Sequence, residues 1–290
     1  EQQAVLDPLH WVAEHEGAEI VWLPVDSFGR VSVADVESAI VAAGGRVALV
    51  TVMWANNEIG TVQPVHEIAA VCRAAGVPFH TDAVQALGAL SLDLAGIDAV
   101  TITGHKIGGP FGVGALIAET NLGLVPVQHG GGQEREVRSG TLDAPGIAAF
   151  AVAVHHAVSS QAASAERLRG LRDRLVEGVT AEVPSAVLNG NPSDRLPGNA
   201  HFSFPGCEGD ALLMLLDAAG IDVSTGSACS AGIPEPSHVL LAMGVDEPTA
   251  RGSLRFSLGR TSENADVDAL LSALPGAVER ASRAGSAARR

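Results

Sequence analysis

The sequence predicts an α/β protein in which a large domain with a mainly parallel sheet is followed by a smaller α+β domain. Helical and strand-like patterns alternate through the first half of the chain, as expected for parallel strands joined by helices. The run at 46–53 is continuously apolar and rich in β-branched residues, which is typical of a strand buried on both faces. The alternation stops after Gly140. We place the boundary in the next helix, which gives domains at 1–160 and 161–290.

The spacing of apolar residues places the elements in order along the chain. In the first half it predicts helices at 4–15, 33–43 and 65–75 and strands at 20–24, 46–53, 77–80, 98–103 and 112–118. One long helix is predicted at 144–182. The remainder is mixed, with predicted strands at 201–204, 221–224 and 253–257 and helices at 210–219, 236–243 and 265–280.

Composition and charge exclude several classes of protein. Hydrophobic residues make up 47% of the 290 residues, which is enough for a full core and excludes a disordered chain. The formal charge of −15 disfavours a nucleic-acid surface, because phosphate binding needs clustered Lys and Arg. No stretch approaches the roughly 20 apolar residues of a membrane span. Three cysteines are too few for a disulfide scaffold, so we expect a reducing, cytoplasmic location.

The beginning of the chain predicts a truncated sequence. The first residue is Glu1 rather than Met, and the first predicted helix starts almost at once. The first three residues are polar or acidic, unlike a signal peptide. We therefore expect that an N-terminal segment is missing.

Polar clusters follow three of the predicted strands. The clusters are Asn56-Asn57-Glu58, then Asp82 with Gln85, then Thr103-Gly104-His105-Lys106. Ligands of open α/β sheets bind beyond the carboxyl ends of the strands, so we expect these clusters to form one site. For Asp82 two alternatives stay open: the N-cap of a helix, or a carboxylate that keeps the ring nitrogen of a cofactor protonated.

Lys106 is the only lysine in a chain whose Lys and Arg together number 18. A guanidinium stays protonated and serves wherever charge alone matters, so the one retained lysine indicates amine chemistry such as Schiff-base formation. A solvated surface lysine is the alternative. The glycines that follow, at 108, 109, 112 and 114, would let the backbone approach a bound group closely.

The three cysteines have different surroundings. Cys229 lies in the small-residue stretch Gly226-Ser227-Ala228-Cys229-Ser230 after a predicted strand, where we expect an exposed, mobile thiol. Cys72 lies in the predicted helix at 65–75 and is expected in the core. Cys207 follows a Pro-Gly turn, and its role stays open.

Seven motifs in the same order resemble those of cysteine desulfurases of the IscS/NifS type, which belong to the class-V aminotransferase-like, fold-type I pyridoxal-phosphate enzymes. They cover nearly the whole chain: Ala55-Asn56-Asn57-Glu58-Ile59-Gly60, His80-Thr81-Asp82-Ala83-Val84-Gln85, Thr103-Gly104-His105-Lys106, Gly130-Gly131-Gly132-Gln133-Glu134, Arg138-Ser139-Gly140-Thr141, Gly226-Ser227-Ala228-Cys229-Ser230 and Leu254-Arg255-Phe256-Ser257-Leu258-Gly259. The resemblance implies the fold-type I architecture, with a mainly parallel sheet of the seven-stranded type in the large domain.

The resemblance also implies which residues hold pyridoxal 5′-phosphate. They are Lys106 as the Schiff-base residue, Asp82 at the pyridine nitrogen, Asn57 and Gln85 at the ring and its phenolic oxygen, Thr103 and His105 at the phosphate, and Thr141 at the phosphate of a neighbouring subunit. A homodimer is therefore expected. Arg255 and Asn57 are the expected substrate-binding residues, since a planar two-pronged donor suits a carboxylate. A surface ion pair is the alternative for Arg255.

The implied reaction removes sulfur from L-cysteine and leaves L-alanine. Lys106, Cys229 and His105 form the expected catalytic set. Lys106 removes the α-proton of the substrate, and the Cys229 thiolate attacks the substrate sulfur and becomes a persulfide. The sulfur then passes to an acceptor protein, either an iron–sulfur scaffold or a tRNA-thiolating enzyme. No resident metal, membrane or direct nucleic-acid contact is expected, although Cys229 could touch an iron–sulfur cluster shared with a scaffold.

The sequence departs from the family pattern at its beginning. The family's N-terminal segment, with a Gly-Thr phosphate loop, is absent. Gln2 stands where the family has a histidine that stacks on the cofactor ring, and glutamine offers no aromatic face. Two other kinds of function therefore stay open: a related pyridoxal-phosphate enzyme such as an aminotransferase or selenocysteine lyase, and a truncated, catalytically impaired homologue.

Overall fold

The protein is represented by a computed structural model that describes residues 1–225 and 236–288. Its helices are α1 (Gln3–Glu16), α2 (Val33–Ala42), α3 (Val65–Ala75), α4 (Ala144–Glu182), α5 (Gly209–Asp217), α6 (His238–Ala242), α7 (Glu247–Arg251) and α8 (Asn264–Ala288). Its strands are β1 (Val50–Thr51), β2 (Phe79–Asp82), β3 (Ala99–Thr103), β4 (Gly114–Ala118), β5 (Val187–Asn189), β6 (Asn199–Ser203), β7 (Ser224–Thr225) and β8 (Ser253–Ser257). The segment that carries Cys229 lies outside the described residues.

The chain divides into two compact units. One, here called the Lys106 unit, contains residues 40–54 and 65–162. The other, here called the Arg255 unit, contains residues 1–39, 55–64 and 163–290. The division falls within α4, and two N-terminal segments group with the C-terminal part of the chain. The assignment of a cofactor-binding domain to 1–160 and a small domain to 161–290 stays a prediction.

The Lys106 unit contains a sheet in the order β1-β2-β3-β4. The first three strands are parallel and β4 is antiparallel to β3, so the predicted mainly parallel sheet is confirmed. This sheet has four strands among the described residues, where the resemblance implies seven. The alignment of β1 with β2 extends past the assigned strand, because the N–H groups of Val52 and Trp54 donate to the carbonyls of His80 and Asp82.

One predicted strand is wrong. Residues 20–24 form no strand and are mostly exposed. Pro24 has no N–H to donate, and the nearest pairing is an isolated bridge from Val25 to Val31. Apolar side chains in a short run do not make a strand when no neighbouring strand accepts their backbone.

The Arg255 unit contains an antiparallel sheet in the order β5-β6-β8-β7. One face of this sheet is apolar, and its side chains join a buried core with α4, α5 and α8, including Phe202, Leu254 and Phe256. The opposite face is polar yet buried, because the segment 55–64 belongs to the same unit and bonds to it. Asn199 Nδ2 donates to the Glu58 carbonyl at 3.0 Å.

None of the helices formed by the described residues is long and apolar enough to cross a membrane.

Candidate active site

Asp82 ends β2 and presents a buried carboxylate at the carboxyl end of the parallel strands. Its Oδ1 accepts the Val84 N–H at 2.9 Å, and the side chain forms no ion pair within the described residues. Burial raises the pKa of Asp82, and the Val84 N–H and the nearby His80 oppose the rise. No helix starts here, so the helix N-cap alternative is wrong; the chain makes a tight turn, on which half-buried Gln85 lies.

A row of hydrogen bonds crosses three strands on the face that carries Asp82. His80 Nδ1 lies 2.8 Å from Thr51 Oγ1, and His80 Nε2 lies 2.9 Å from Thr101 Oγ1. Burial lowers the pKa of His80, which favours the neutral ring. Sequence analysis missed this row, because its members are 29 and 21 residues apart and only the register of the sheet brings them together.

Thr103, His105 and Lys106 follow one another where β3 ends. Thr103 Oγ1 lies 3.0 Å from His105 Nδ1, and Lys106 is exposed in a single 3₁₀ turn at His105–Ile107. The Gly104 carbonyl accepts the N–H groups of Ile107 and Gly109, which closes the turn. A Cβ at Gly104 would lie 2.8 Å from the Pro110 carbonyl oxygen, so this approach requires glycine.

Thr141 is exposed at the end of a tight loop in the Lys106 unit. The Gly132 N–H donates to Ser139 Oγ at 3.2 Å, and the Gly140 N–H donates to Gln133 Oε1 at 2.9 Å. Residues 134–136 all have φ between 50° and 66°, a conformation that non-glycine residues rarely adopt. Strain of this kind persists only where surrounding bonds hold the loop in place.

Asn57 and Arg255 meet within the Arg255 unit. Arg255 Nη1 donates to the Asn57 carbonyl at 2.9 Å, and Arg255 Nη2 donates to Ser224 Oγ at 3.4 Å. The side chain is half-buried and has no ion-pair partner among the described residues. The ion pair considered for Arg255 therefore does not form among the described residues, and it stays an alternative for the rest of the chain.

Glu58 is a buried acid next to this pair. Its carboxylate accepts the Ser237 hydroxyl at 2.5 Å, and Ser237 also caps α6 by accepting the Leu240 N–H. Burial raises the pKa of Glu58, while the Ser237 bond and the charges of His238 and Arg255 oppose the rise. Sequence analysis did not find this contact, since its partners are 179 residues apart.

The two described cysteines are buried. Cys72 packs inside α3, and burial together with Asp98 raises the pKa of its thiol to about 11. The Cys207 Sγ donates to the Val278 carbonyl at 3.7 Å, and burial raises its pKa as well. The core position predicted for Cys72 is confirmed, and Cys207 is buried as well.

Gln2, at the place of the family's stacking histidine, caps a helix. Its Oε1 accepts the Ala4 N–H at 2.7 Å at the start of α1. Within residues 1–225 and 236–288, no group of three or more His, Cys, Asp or Glu side chains is placed to hold a metal ion.

The residues expected at the site thus fall into two sets. Six lie on the Lys106 unit, at or after the carboxyl ends of β2 and β3 and on the 130–141 loop: Asp82, Gln85, Thr103, His105, Lys106 and Thr141. Asn57 and Arg255 lie on the Arg255 unit. A comparison with known families matches residues 1–270 to the aminotransferase class-V model. This chain belongs to the class-V aminotransferase family. The resemblance drawn from the seven motifs is therefore confirmed.

Relatives within the class-V family carry more specific names. An IscS-like cysteine desulfurase of Mycobacterium tuberculosis is 56% identical over 99% of this chain and 74% of the relative. A cysteine desulfurase IscS of Clostridium botulinum is 44% identical over 95% of this chain and 69% of the relative. Among solved structures, a NifS-like protein of Rickettsia africae superposes with a TM-score of 0.87 at 30% identity, over 96% of this chain and 74% of that one. The fold-type I architecture is confirmed.

The side chains of the Lys106 unit fit pyridoxal 5′-phosphate, the cofactor of this family. A protonated ring nitrogen would give Asp82 the cationic partner that it lacks among the described residues. The Thr103 hydroxyl and the His105 imidazole, 3.0 Å apart, are donors suited to a phosphate. Lys106 offers the only side-chain amine of the chain.

Proposed function

We propose that this protein is a cysteine desulfurase, which removes sulfur from L-cysteine with pyridoxal 5′-phosphate and leaves L-alanine. The curated relatives named above, at 44% and 56% identity, carry this name. The observation that carries the proposal on this chain is the buried Asp82 carboxylate, which has no cationic partner among the described residues. Asp82 ends the strand that pairs with β3, and β3 leads into the turn with Thr103, His105 and Lys106. The site residues below are proposals that rest on these positions and on the motifs.

Six residues of the Lys106 unit would hold the cofactor. Asp82 would keep the ring nitrogen protonated, Gln85 would contact the phenolic oxygen, and Thr103 and His105 would bind the phosphate, with Lys106 and Thr141 completing the set. The cofactor, when bound, stores the charge left on the substrate after proton removal. Lys106 would form the covalent link to it and then carry the α-proton of the substrate, with His105 beside it.

Asn57 and Arg255 would bind the substrate. The Arg255 guanidinium is held by the Asn57 carbonyl and Ser224 Oγ and forms no ion pair among the described residues. A guanidinium in this state suits the carboxylate of L-cysteine, since it binds both oxygens in one plane. Glu58, whose carboxylate accepts the Ser237 hydroxyl, feels the charge of Arg255 but forms no ion pair with it.

Cys229 would accept the sulfur. Its thiolate attacks the substrate sulfur, a sulfur–sulfur bond forms, and the carbon–sulfur bond breaks. The electron pair of the broken bond stays on the carbon, which takes a proton and leaves as L-alanine. Cys229 lies outside the described residues, so this role rests on the motif at 226–230 and on the buried state of Cys72 and Cys207.

A homodimer would complete the cofactor site, with Thr141 reaching the phosphate held by the partner copy. Large apolar side chains support this on the Lys106 unit, where Phe111 is 90% and Val127 is 95% exposed. A dimer would cover such exposed apolar side chains if they lie in one patch. The sulfur would pass to an iron–sulfur scaffold or a tRNA-thiolating enzyme, where Cys229 could touch a shared cluster, in the cytoplasm.

The proposal is tested by measuring L-alanine formed from L-cysteine by the full chain supplied with pyridoxal phosphate and a reducing thiol. The wild type should form alanine. Lys106→Ala and Lys106→Arg should both form none, because a guanidinium keeps the charge but cannot make the covalent link. Alanine production by Lys106→Arg at the wild-type rate would contradict the role of the amine.

A further inference from the structure

A row of polar side chains crosses the whole sheet of the Arg255 unit. Asn189 on β5 pairs with His201 on β6, His201 pairs with Arg255 on β8, and Arg255 pairs with Ser224 on β7. Directly paired residues of neighbouring strands lie on the same face with their Cβ atoms about 5 Å apart. His201 is therefore the side chain next to the substrate-binding candidate Arg255 on the side away from Ser224.

Among the described residues, the hydrogen bonds of this row leave one side-chain nitrogen of His201 and one of Arg255 without a partner. The Asn189 amide lies 3.0 Å from His201 Nδ1 and 2.8 Å from Ser203 Oγ. Arg255 uses its two Nη atoms on the Asn57 carbonyl and Ser224. His201 Nε2 and Arg255 Nε are both buried, and neither has a hydrogen-bond partner within residues 1–225 and 236–288. An unpaired buried polar atom costs about 1–3 kcal/mol, so two of them on paired residues call for an explanation.

The orientation of the Asn189 amide decides what His201 Nε2 can do. The oxygen and nitrogen of an amide are assigned from the bonds around them. With the amide nitrogen facing the ring, His201 Nδ1 accepts and Nε2 carries a proton, which sets two N–H donors side by side. With the amide oxygen facing the ring, it accepts from both Nδ1–H and the Ser203 hydroxyl, and Nε2 presents a lone pair. Only in the second arrangement can His201 Nε2 accept a hydrogen bond, either from the Arg255 Nε–H or from a water to which that N–H donates.

We propose that His201 is a positioning residue for Arg255: it is neutral, carries its proton on Nδ1, and accepts the Arg255 Nε–H at Nε2, directly or through one water. This bond fixes the root of the guanidinium while the Asn57 carbonyl and Ser224 fix its two ends. The free Nη hydrogens then point in one direction, toward a carboxylate. The inference rests on the proposed role of Arg255 in binding L-cysteine.

The surroundings of His201 keep it an acceptor. The side chain is fully buried, and the charged groups that act on it are Arg255 and Arg195. Burial, followed by these two positive charges, lowers the pKa of His201 to about 3. The ring therefore keeps its lone pair throughout the range in which enzymes of this kind work.

The kinetic test compares His201→Leu with His201→Gln in the cofactor-loaded protein. Gln places its Oε1 near the position of Nε2 and keeps an acceptor, whereas Leu keeps the volume and removes it. His201→Leu should raise KM for L-cysteine roughly three- to tenfold, the loss expected for one hydrogen bond, with kcat changed less than twofold. His201→Gln should restore KM to within about twofold of the wild type. Equal KM for His201→Leu and the wild type would overturn the proposal.

A second measurement does not depend on activity or on the variants folding. Nitrogen NMR of ring-labelled wild-type protein should show His201 with a protonated Nδ1 and an unprotonated Nε2 near neutral pH. A proton on Nε2 would overturn the proposal. Arg255→Gln distinguishes the proposed role of Arg255 from that of His201. If this variant leaves KM for L-cysteine unchanged, the proposed substrate role of Arg255 fails. If it raises KM while His201→Leu does not, only the role of His201 fails.

Discussion

Single residues decide the chemistry proposed for this protein, and Asp82 is the one that the structure describes most fully. Its carboxylate is buried, accepts one backbone N–H, and has no ion-pair partner among the described residues. Burial disfavours the charged form of such a carboxyl group, and a cation bound next to it offsets that penalty. A protonated cofactor nitrogen would supply that cation.

Asp82→Asn should therefore weaken cofactor binding by roughly 10- to 100-fold, the loss of one charge-assisted hydrogen bond. Titration of pyridoxal phosphate, followed by its absorbance, measures the affinity. Asp93→Asn is the matched control, because Asp93 is an exposed acid of the same unit that bonds only the nearby Ala95 N–H. Equal affinities of Asp82→Asn and Asp93→Asn would contradict the assignment.

The two cysteines within the described residues are expected to react slowly. Cys72 and Cys207 are buried, and burial raises the pKa of both. A buried thiol with a raised pKa reacts slowly, because the thiolate is the reactive form. We expect a thiol reagent to modify no cysteine rapidly in native Cys229→Ala and two after denaturation. Rapid modification in native Cys229→Ala would show that one of these thiols is accessible.

Among the secondary-structure elements, the sequence predicted the helices better than the short strands. The helices at 65–75 and 144–182 have the predicted bounds, because the spacing that defines them lies within each segment. The strand at 46–53 shrinks to two assigned residues, and 20–24 forms none. Whether a short apolar run becomes a strand depends on a partner elsewhere in the chain, which local spacing does not contain.

For the same reason, the sequence predicted some features of the candidate site and not others. Asp82 and Lys106 were placed correctly at strand ends, because parallel strands bring their carboxyl ends to one edge. The contacts of His80, Glu58 and His201 were not predicted. Each depends on sheet register or on residues far away in the chain, and the sequence holds no local signal for them.

The Thr51–His80–Thr101 row links β1, β2 and β3, so it should contribute to the stability of the sheet. Thr101→Val leaves a half-buried imidazole nitrogen without its partner, and we expect a loss of about 1–3 kcal/mol in the free energy of unfolding. Thr180→Val is the control, since its hydroxyl bonds only within α4. Urea unfolding of the cofactor-free chain measures both, and equal midpoints would show that the row adds nothing.

For the molecule as a whole, we expect the free energy of unfolding to depend on pH because His201 is buried. Its pKa is about 3 when folded and near 6.5 when unfolded, so between these values the unfolded chain binds a proton that the folded chain does not. Stability therefore rises with pH in this window and is lost as pH falls from 6.5, by up to about 1.4 kcal/mol per pH unit.

His201→Gln lacks this contribution. Its free energy of unfolding should therefore fall less than that of the wild type between pH 6.5 and pH 5, by about 2 kcal/mol. Denaturant unfolding at the two pH values measures the difference. Parallel pH dependence of the two proteins would mean that His201 is protonated in the folded state.

We also expect two copies of the whole molecule to associate. Val127 is 95% exposed on the Lys106 unit, and Met214 is 70% exposed on the Arg255 unit. A charge buried in an apolar interface is costly, so Val127→Glu should shift the protein toward the monomer in sedimentation velocity. Met214→Glu should leave the association state unchanged. A dimer unaffected by Val127→Glu would place the interface elsewhere.

The sulfur of L-cysteine should move to Cys229 in a reaction that needs the Lys106 amine. Mass spectrometry of the cofactor-loaded protein, treated briefly with L-cysteine and digested without reductant, tests it most directly. The peptide that carries Cys229 should gain the mass of one sulfur atom in the wild type, and the same peptide from Lys106→Arg should not. A wild-type Cys229 peptide of unchanged mass, with alanine formed in the same sample, would contradict the persulfide. An added sulfur in Lys106→Arg would contradict the role of the lysine.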